Sequence, residues 1–334
     1  MPRILALLVC GLFSTLTAVG AWSLDAAGLA ILMNRQDPLS VSIARHYQQV
    51  RGVPDDALIA LDLEPDRAVL DETRFARLKA RIDALTPKRV QAYAVAWTEP
   101  YRVGCMSLTS ALAFGFDPAY CSRPCNPTRA STYFDSDTRT PYRTLGIRPS
   151  MMLAGRDEAQ LKALIARGLS ADRSQPRGSA YLLMTSDERR SVRQRFFPRV
   201  LALAHEQLRV RILKADRILG KRDVMMYFTG LTHVEGLDSL GFLPGAVADH
   251  LTSSGGVLAG SRQMSVLAWL EAGATGSYGT VVEPCAYTQK FPRPDVLVRH
   301  YLAGETLLEA YWKSVEWPGE GVFVGEPLAS PWAH

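Results

Sequence analysis

The sequence lacks the short motifs of common nucleotide-binding and hydrolytic sites. No GxGxxG, P-loop, HExxH or GxSxG pattern occurs among its 334 residues. Dinucleotide binding, P-loop chemistry and a helical zinc-protease site are therefore not predicted, and we expect no cofactor and no metal. The chain also has no internal repeat and no low-complexity tract, which excludes repeat architectures.

Long apolar runs are confined to the N-terminus. Residues 4–19 are almost wholly apolar after Arg3, and small residues follow through Ala21. The pattern predicts a secretory signal peptide over residues 1–21, because the run is shorter than the roughly 20 residues that a spanning helix needs. Cys10 follows Val9 rather than a small residue, so no lipoprotein anchor is expected. We expect an exported chain, periplasmic or extracellular, with no transmembrane segment after signal cleavage.

Neither sign of charge dominates. The chain has 38 Lys and Arg against 33 Asp and Glu, which gives a net charge of +5. Such a small excess does not by itself indicate nucleic acid, and no nucleic-acid partner is expected.

Cysteine is scarce, with five in the chain and one of them in the predicted signal peptide. Cys105, Cys121, Cys125 and Cys285 remain. An even number in an oxidising compartment predicts up to two disulfides, with three pairings open. We expect at least one bridge among Cys105, Cys121 and Cys125. A zinc site is the weaker alternative, because no histidine lies near these three in the sequence.

Alternating apolar and amphipathic stretches predict an α/β fold. Continuous apolar runs at 28–33, 58–63 and 90–97 are typical of buried strands, and helical spacing follows Asp37-Pro38 and Asp71. Strand, helix, strand, helix, strand within one short stretch predicts a mostly parallel sheet with helices on both faces. Later runs at 150–153, 181–184, 210–213, 224–228, 257–258, 276–282 and 322–324 predict further strands.

The domain organisation has one interruption. Residues 99–149 hold three cysteines and many prolines, and predict an irregular insertion at the carboxyl end of the third strand. Ligand crevices of open α/β sheets lie at that end, so the insertion is either a wall of the site or a stapled surface loop. Residues 22–334 are predicted to form a single α/β domain, or two tandem subdomains of about 22–214 and 215–334.

Reactive side chains gather in the glycine-rich stretch 241–292. Glycine density favours shaped loops over element interiors. If these loops converge, His250 is the candidate base, Asp249 the orienting carboxylate and Cys285 the nucleophile. The structural alternatives are a bracing role for Asp249 and a disulfide or buried thiol for Cys285. Thr252, Ser253, Glu283 and Lys290 are candidate binding residues. For Glu283 and Lys290 the structural alternative is an ion pair that braces the loop.

Three further residues extend this candidate site. Asp187 and Arg190 open a predicted helix directly after a strand, a position that favours anions, although capping explains Asp187 more simply. His233 follows the 224–228 strand and either joins the crevice or is an ordinary loop histidine. The arginines from 189 to 199 are more typical of a solvated helix face than of a polyanion site.

The chain resembles a family of exported bacterial proteins found in species that carry exosortase. The resemblance rests on blocks spread through the mature chain, in the same order: NRQDPLSVSIARHYQQVRGVP, PYRVGCMSLTSALAFGFD, LPGAVADHLTSSGG, GATGSYGTVVEPCAYTQKFP and VGEPLASP. It implies a cell-envelope setting and no particular activity.

The C-terminal part, about 220–330, also resembles the gingipain-type cysteine peptidases. MMYFTG, PGAVADHLTSSGG, ATGSYG and VGEPLASP follow one another as in those caspase-like proteins. The resemblance implies a parallel sheet with a histidine and a cysteine after successive strands. This chain instead has Thr229-Gly230-Leu231 where the histidine motif falls, and no cysteine between Asp249 and Ser254.

Three functions are open at this point. The first is an exported protein that binds or processes a polypeptide or envelope component through a loop-built crevice. The second is a non-catalytic binding module on a degenerate cysteine-peptidase-like scaffold. The third is a carboxylate-based hydrolase that uses Asp249 and Glu283, which requires the two carboxyl groups to face each other across a cleft at roughly 5–9.5 Å.

Overall fold

The computed structural model describes residues 24–65, 67–122, 125–283 and 285–334. The predicted signal peptide, residues 1–21, and Cys10 lie outside these residues. No helix in the described part combines the length and the hydropathy that a bilayer crossing requires.

A ten-stranded sheet runs through the described chain. Its strand order is β2-β1-β4-β7-β13-β12-β11-β10-β8-β9, and β3, β5 and β6 form a separate three-stranded sheet. The strands are β1 Leu29–Asn34, β2 Leu58–Leu61, β3 Val69–Leu70, β4 Ala92–Val95, β5 Arg102–Val103, β6 Met106–Ser107, β7 Ser150–Met152, β8 Gly178–Met184, β9 Leu208–Lys214, β10 Val224–Thr229, β11 Phe242–His250, β12 Gly276–Thr280 and β13 Gly321–Gly325.

The described chain contains nine helices, and most of them contact strands of the large sheet. They are α1 Pro38–Arg51, α2 Glu72–Leu85, α3 Leu108–Phe114, α4 Pro141–Leu145, α5 Glu158–Ala171, α6 Phe197–Leu201, α7 Leu267–Ala272, α8 Pro294–Leu302 and α9 Leu307–Ser314. Neighbouring strands of the large sheet are parallel except for β12 and β13. The predicted α/β class with a mostly parallel sheet is confirmed.

Local sequence signals place the helix ends. The Asp37 carboxylate accepts from the Leu39 amide ahead of Pro38, and α1 ends at Gly52 with φ of 68°. Asp71 caps α2 in the same way by accepting from two amides of its first turn. A side-chain acceptor satisfies amides that have no partner inside the helix, and a left-handed residue is cheapest as glycine.

The 99–149 segment is more ordered than its composition predicts. It contains α3, which lies against β7 and β13. Thr109 Oγ1 donates to the Gly321 carbonyl at 3.0 Å, and Ser110 Oγ donates to the Pro318 carbonyl at 2.6 Å. These buried hydroxyls tie the segment to the far end of the chain, so it covers the sheet and is not a peripheral loop.

Three local predictions are wrong. The loop expected around Asp249 and His250 is the nine-residue strand β11, which bulges where Gly245 takes φ of 84° and its register against β10 shifts. The helix expected after Asp187 is a 3₁₀ turn, Ser191–Phe196, followed by the short α6. Residues 257–258 form no strand.

Candidate functional site

The carboxyl ends of β8, β10 and β11 bring three loops to one edge of the sheet. Thr185, after β8, donates its hydroxyl to the Gly230 carbonyl after β10 at 2.8 Å. Arg190 Nε donates to Thr252 Oγ1 after β11 at 3.2 Å. Parallel strands end at the same edge, and these contacts join the loops there. We call this place the carboxyl-edge site and define it by Asp187, Arg190, His233, Thr252 and Gln263.

His250 is buried and both of its ring nitrogens are engaged. Trp269 Nε1 donates to Nδ1 at 3.0 Å, so the proton lies on Nε2, which is 3.0 Å from the Met264 carbonyl. Burial lowers the pKa of His250 to about 3. A general base needs a free lone pair and a pKa near the working pH. The assignment of His250 as a base is therefore wrong in this structure, and the residue is a neutral core histidine.

Asp249 does not orient His250. Successive residues of a strand point to opposite faces of the sheet, and the Asp249 carboxylate meets Arg193 Nη1 at 2.5 Å with both side chains buried. Arg193 also donates to the Thr229 carbonyl at 2.8 Å. Burial raises the pKa of Asp249 to about 6, against the opposing pull of Arg193. The pair fixes the end of β11 from the face opposite the imidazole.

Cys285 carries no free thiol. It is bonded to Cys125 across 160 residues of sequence, and Cys105 is bonded to Cys121. Catalysis by cysteine requires a thiolate, so the assignment of Cys285 as nucleophile is wrong in this structure and its disulfide alternative is correct. The expected bridge among the first three cysteines is confirmed.

Glu283 and Lys290 brace the loop that carries Cys285. The Glu283 carboxylate accepts from the amides of Cys285 at 3.0 Å and Ala286 at 2.7 Å. Lys290 Nζ lies 3.9 Å from Glu283 and makes a closer ion pair with Glu320. All three charged side chains are almost fully buried. They hold the loop in place from inside the protein.

The two carboxylates that the hydrolase alternative requires are also buried and engaged. Asp249 and Glu283 are 1% and 2% exposed. The first is paired with Arg193 and the second is bound to loop amides. Neither faces an open cleft, so this geometry contradicts a two-carboxylate mechanism.

The remaining predicted residues differ in burial and in hydrogen bonding. Thr252 is buried and donates to Gln263 Oε1 at 2.9 Å. Ser253 is half-buried, and its carbonyl accepts from Thr280. Asp187 accepts from the Arg190 amide at 3.2 Å and pairs with its guanidinium at 2.7 Å. His233 is exposed.

Sequence reasoning missed residues that hold this edge together. Arg193 belongs to an arginine run that is typical of a solvated face, yet it is 2% exposed. Gln263 accepts from the Ser254 amide at 2.7 Å and so closes the loop after β11. Arginine and glutamine usually lie at the protein surface, so the sequence did not indicate a structural role for either residue. Among the described residues, no group of three histidine, cysteine or acidic side chains is placed to hold a metal ion.

No family model and no curated protein matches the chain. Among solved structures, the crystal structure of the Arg-specific cysteine proteinase gingipain R is similar, with a TM-score of 0.53 and 9% sequence identity. The match covers 93% of this chain and 79% of that chain. At this identity the likeness shows the fold alone, and the predicted gingipain-like, caspase-like architecture is confirmed.

Proposed function

We propose that this chain is an exported, non-catalytic binding module on a cysteine-peptidase-like scaffold. Its resemblance to exported proteins of exosortase-carrying species supports a cell-envelope setting, and its two disulfides are consistent with an oxidising compartment. The ligand would be a polypeptide or another envelope component held at the carboxyl-edge site.

One observation carries the proposal. The disulfides Cys105–Cys121 and Cys125–Cys285 leave no free thiol for peptidase chemistry among the cysteines of the described residues. His250 strengthens the argument, because its ring is buried against Trp269 and cannot accept a substrate proton. The edge itself keeps half-buried polar side chains that suit hydrogen bonding to a peptide backbone.

The hydrolysis test separates this proposal from the peptidase alternative. The mature protein is assayed against fluorogenic peptides, including an arginyl substrate because the similar solved structure is an Arg-specific proteinase. We expect no turnover with or without mild reductant. Turnover that disappears in Cys285→Ala would overturn the proposal.

The binding test uses peptides that represent exported envelope proteins, displayed on an array. We expect binding by the wild-type chain and loss of signal in Arg190→Ala, whose side chain joins two loops of the site. Arg189→Ala is the matched control, because Arg189 is an exposed neighbour on the same turn. Equal signals from both variants would place binding elsewhere and contradict the site.

A further inference from the structure

The N-terminal half of the large sheet has its own edge that is suited to ligands. The order β2-β1-β4 means that the chain leaves β1 to one side for β2 and then crosses to the other side for β4. Ligands of open α/β sheets bind outside the carboxyl ends of strands at such a reversal. A crevice of ≈ 380 Å³ lies there, lined by Gln36, Thr98 and Arg156, which follow β1, β4 and β7.

A second and larger cavity adjoins this crevice through the shared Gln36. It measures ≈ 420 Å³ and lies between helix α2 and the segment that follows β2. Small-molecule sites are typically about 300–1,000 Å³. We call this cavity the α2 groove.

Arginines dominate the walls of the α2 groove. Arg74, Arg77 and Arg81 follow one another at helical spacing on α2, and Arg67 faces them from the β2–α2 segment. Residues at i, i+3 and i+7 lie on one side of a helix. These four arginines face two lining carboxylates, Asp62 and Glu64, so the lining is positively charged.

The carboxylates are already used. Asp62 pairs with Arg35, and Glu64 is shared by Arg67 and Arg74. No ion pair joins Arg77 or Arg81 to a described residue, although the Asp62 carboxylate, whose pKa is lowered chiefly by Arg35, also attracts Arg81. Neither guanidinium is held in an ion pair on this wall, and guanidinium is well suited to the oxygens of phosphate.

The groove also has apolar lining. Leu61, Leu63, Leu70 and Leu78 line it together with the arginines. The combination favours a ligand with an anionic head and an apolar part.

We propose that the α2 groove binds a phosphate ester that carries an apolar group, with Arg77 and Arg81 holding the phosphate. This chemistry has two sources, a soluble alkyl phosphate and the headgroup of an anionic lipid. The site is separate from the carboxyl-edge site, so either proposal can fail without the other.

The test titrates the mature protein with octyl phosphate below its micelle concentration, and with octyl glucoside as the neutral analogue. Vesicles of phosphatidylglycerol in phosphatidylcholine, against pure phosphatidylcholine, form the lipid arm. We expect Arg77→Gln/Arg81→Gln to weaken binding at least about tenfold. The control Arg45→Gln/Arg143→Gln removes the same charge from exposed arginines elsewhere and is expected to bind like the wild type.

Each outcome decides the matter. Binding of octyl phosphate that depends on Arg77 and Arg81 supports the site with a soluble ligand. The same dependence seen only with phosphatidylglycerol vesicles supports it with a lipid headgroup. Equal loss in the control would mean non-specific charge attraction, equal affinity for octyl glucoside would mean apolar binding alone, and no binding of either probe would remove the site. Any of these three overturns the proposal.

Discussion

The Cys125–Cys285 disulfide is expected to be the strongest covalent contribution to stability. It closes a loop of 160 residues, whereas Cys105–Cys121 closes one of 16. The loss of loop entropy in the unfolded chain grows with the logarithm of loop length. The longer loop corresponds to about 5 kcal/mol and the shorter one to about 3 kcal/mol. Removing the first bridge should therefore cost about 2 kcal/mol more than removing the second.

The assay compares Cys125→Ser/Cys285→Ser with Cys105→Ser/Cys121→Ser, so that neither variant keeps an unpaired thiol. Guanidinium unfolding, followed by tryptophan fluorescence, gives the free energy of unfolding of each protein. The reasoning is refuted if the 125/285 variant is as stable as the wild type, or clearly more stable than the 105/121 variant. Either result would mean that the long bridge does not restrict the unfolded chain.

Three further predictions concern the buried polar groups and a close backbone contact. The His250→Gln variant should lose less stability than the wild type when the pH is lowered. The folded-state pKa of His250 is lowered from 6.5 to about 3. The contribution of neutral His250 to the free energy of unfolding is therefore fully present above pH 6.5, and it falls by about 1.4 kcal/mol per pH unit as the pH drops towards 3. Both proteins keep Asp249, so its titration does not produce the difference. If the free energies of urea unfolding of the wild type and the variant change in parallel from pH 7 to 4, this prediction is contradicted. Lys290→Met should cost about 3–5 kcal/mol because it leaves Glu320 buried without its cation, and adding Glu320→Gln should restore part of it in thermal unfolding. Gly256→Ala should destabilise by about 1–3 kcal/mol, because the added Cβ would lie 2.3 Å from a carbonyl of β12, and an unchanged melting temperature would refute that packing.

Much of the scaffold follows from local sequence. The apolar run before Asp37-Pro38 becomes the fully buried β1, and the aspartate and proline begin α1 as expected. Such signals are local, because a strand buried on both faces must be apolar and a helix start needs an acceptor. The parallel topology follows from the order of these elements.

The candidate site follows from the sequence much less well. Four cysteines allow three pairings, and only the fold brings residue 125 to residue 285. Glycine and proline near 244–245 are typical of a loop, yet the bulge at Gly245 lets them sit inside β11. Once residues 249 and 250 belong to a buried strand, their side chains must point to opposite faces. The tertiary structure therefore separates the predicted Asp249–His250 pair into two structural contacts, one on each face of the sheet.

The central claim is that residue 285 is structural and that the scaffold has no thiol nucleophile. It is tested most directly by alkylating the denatured, unreduced mature protein and mapping its proteolytic peptides by mass spectrometry. The account predicts a peptide pair joined through Cys125 and Cys285 and no alkylated residue 285. An alkylated Cys285 in most of the exported protein would contradict it.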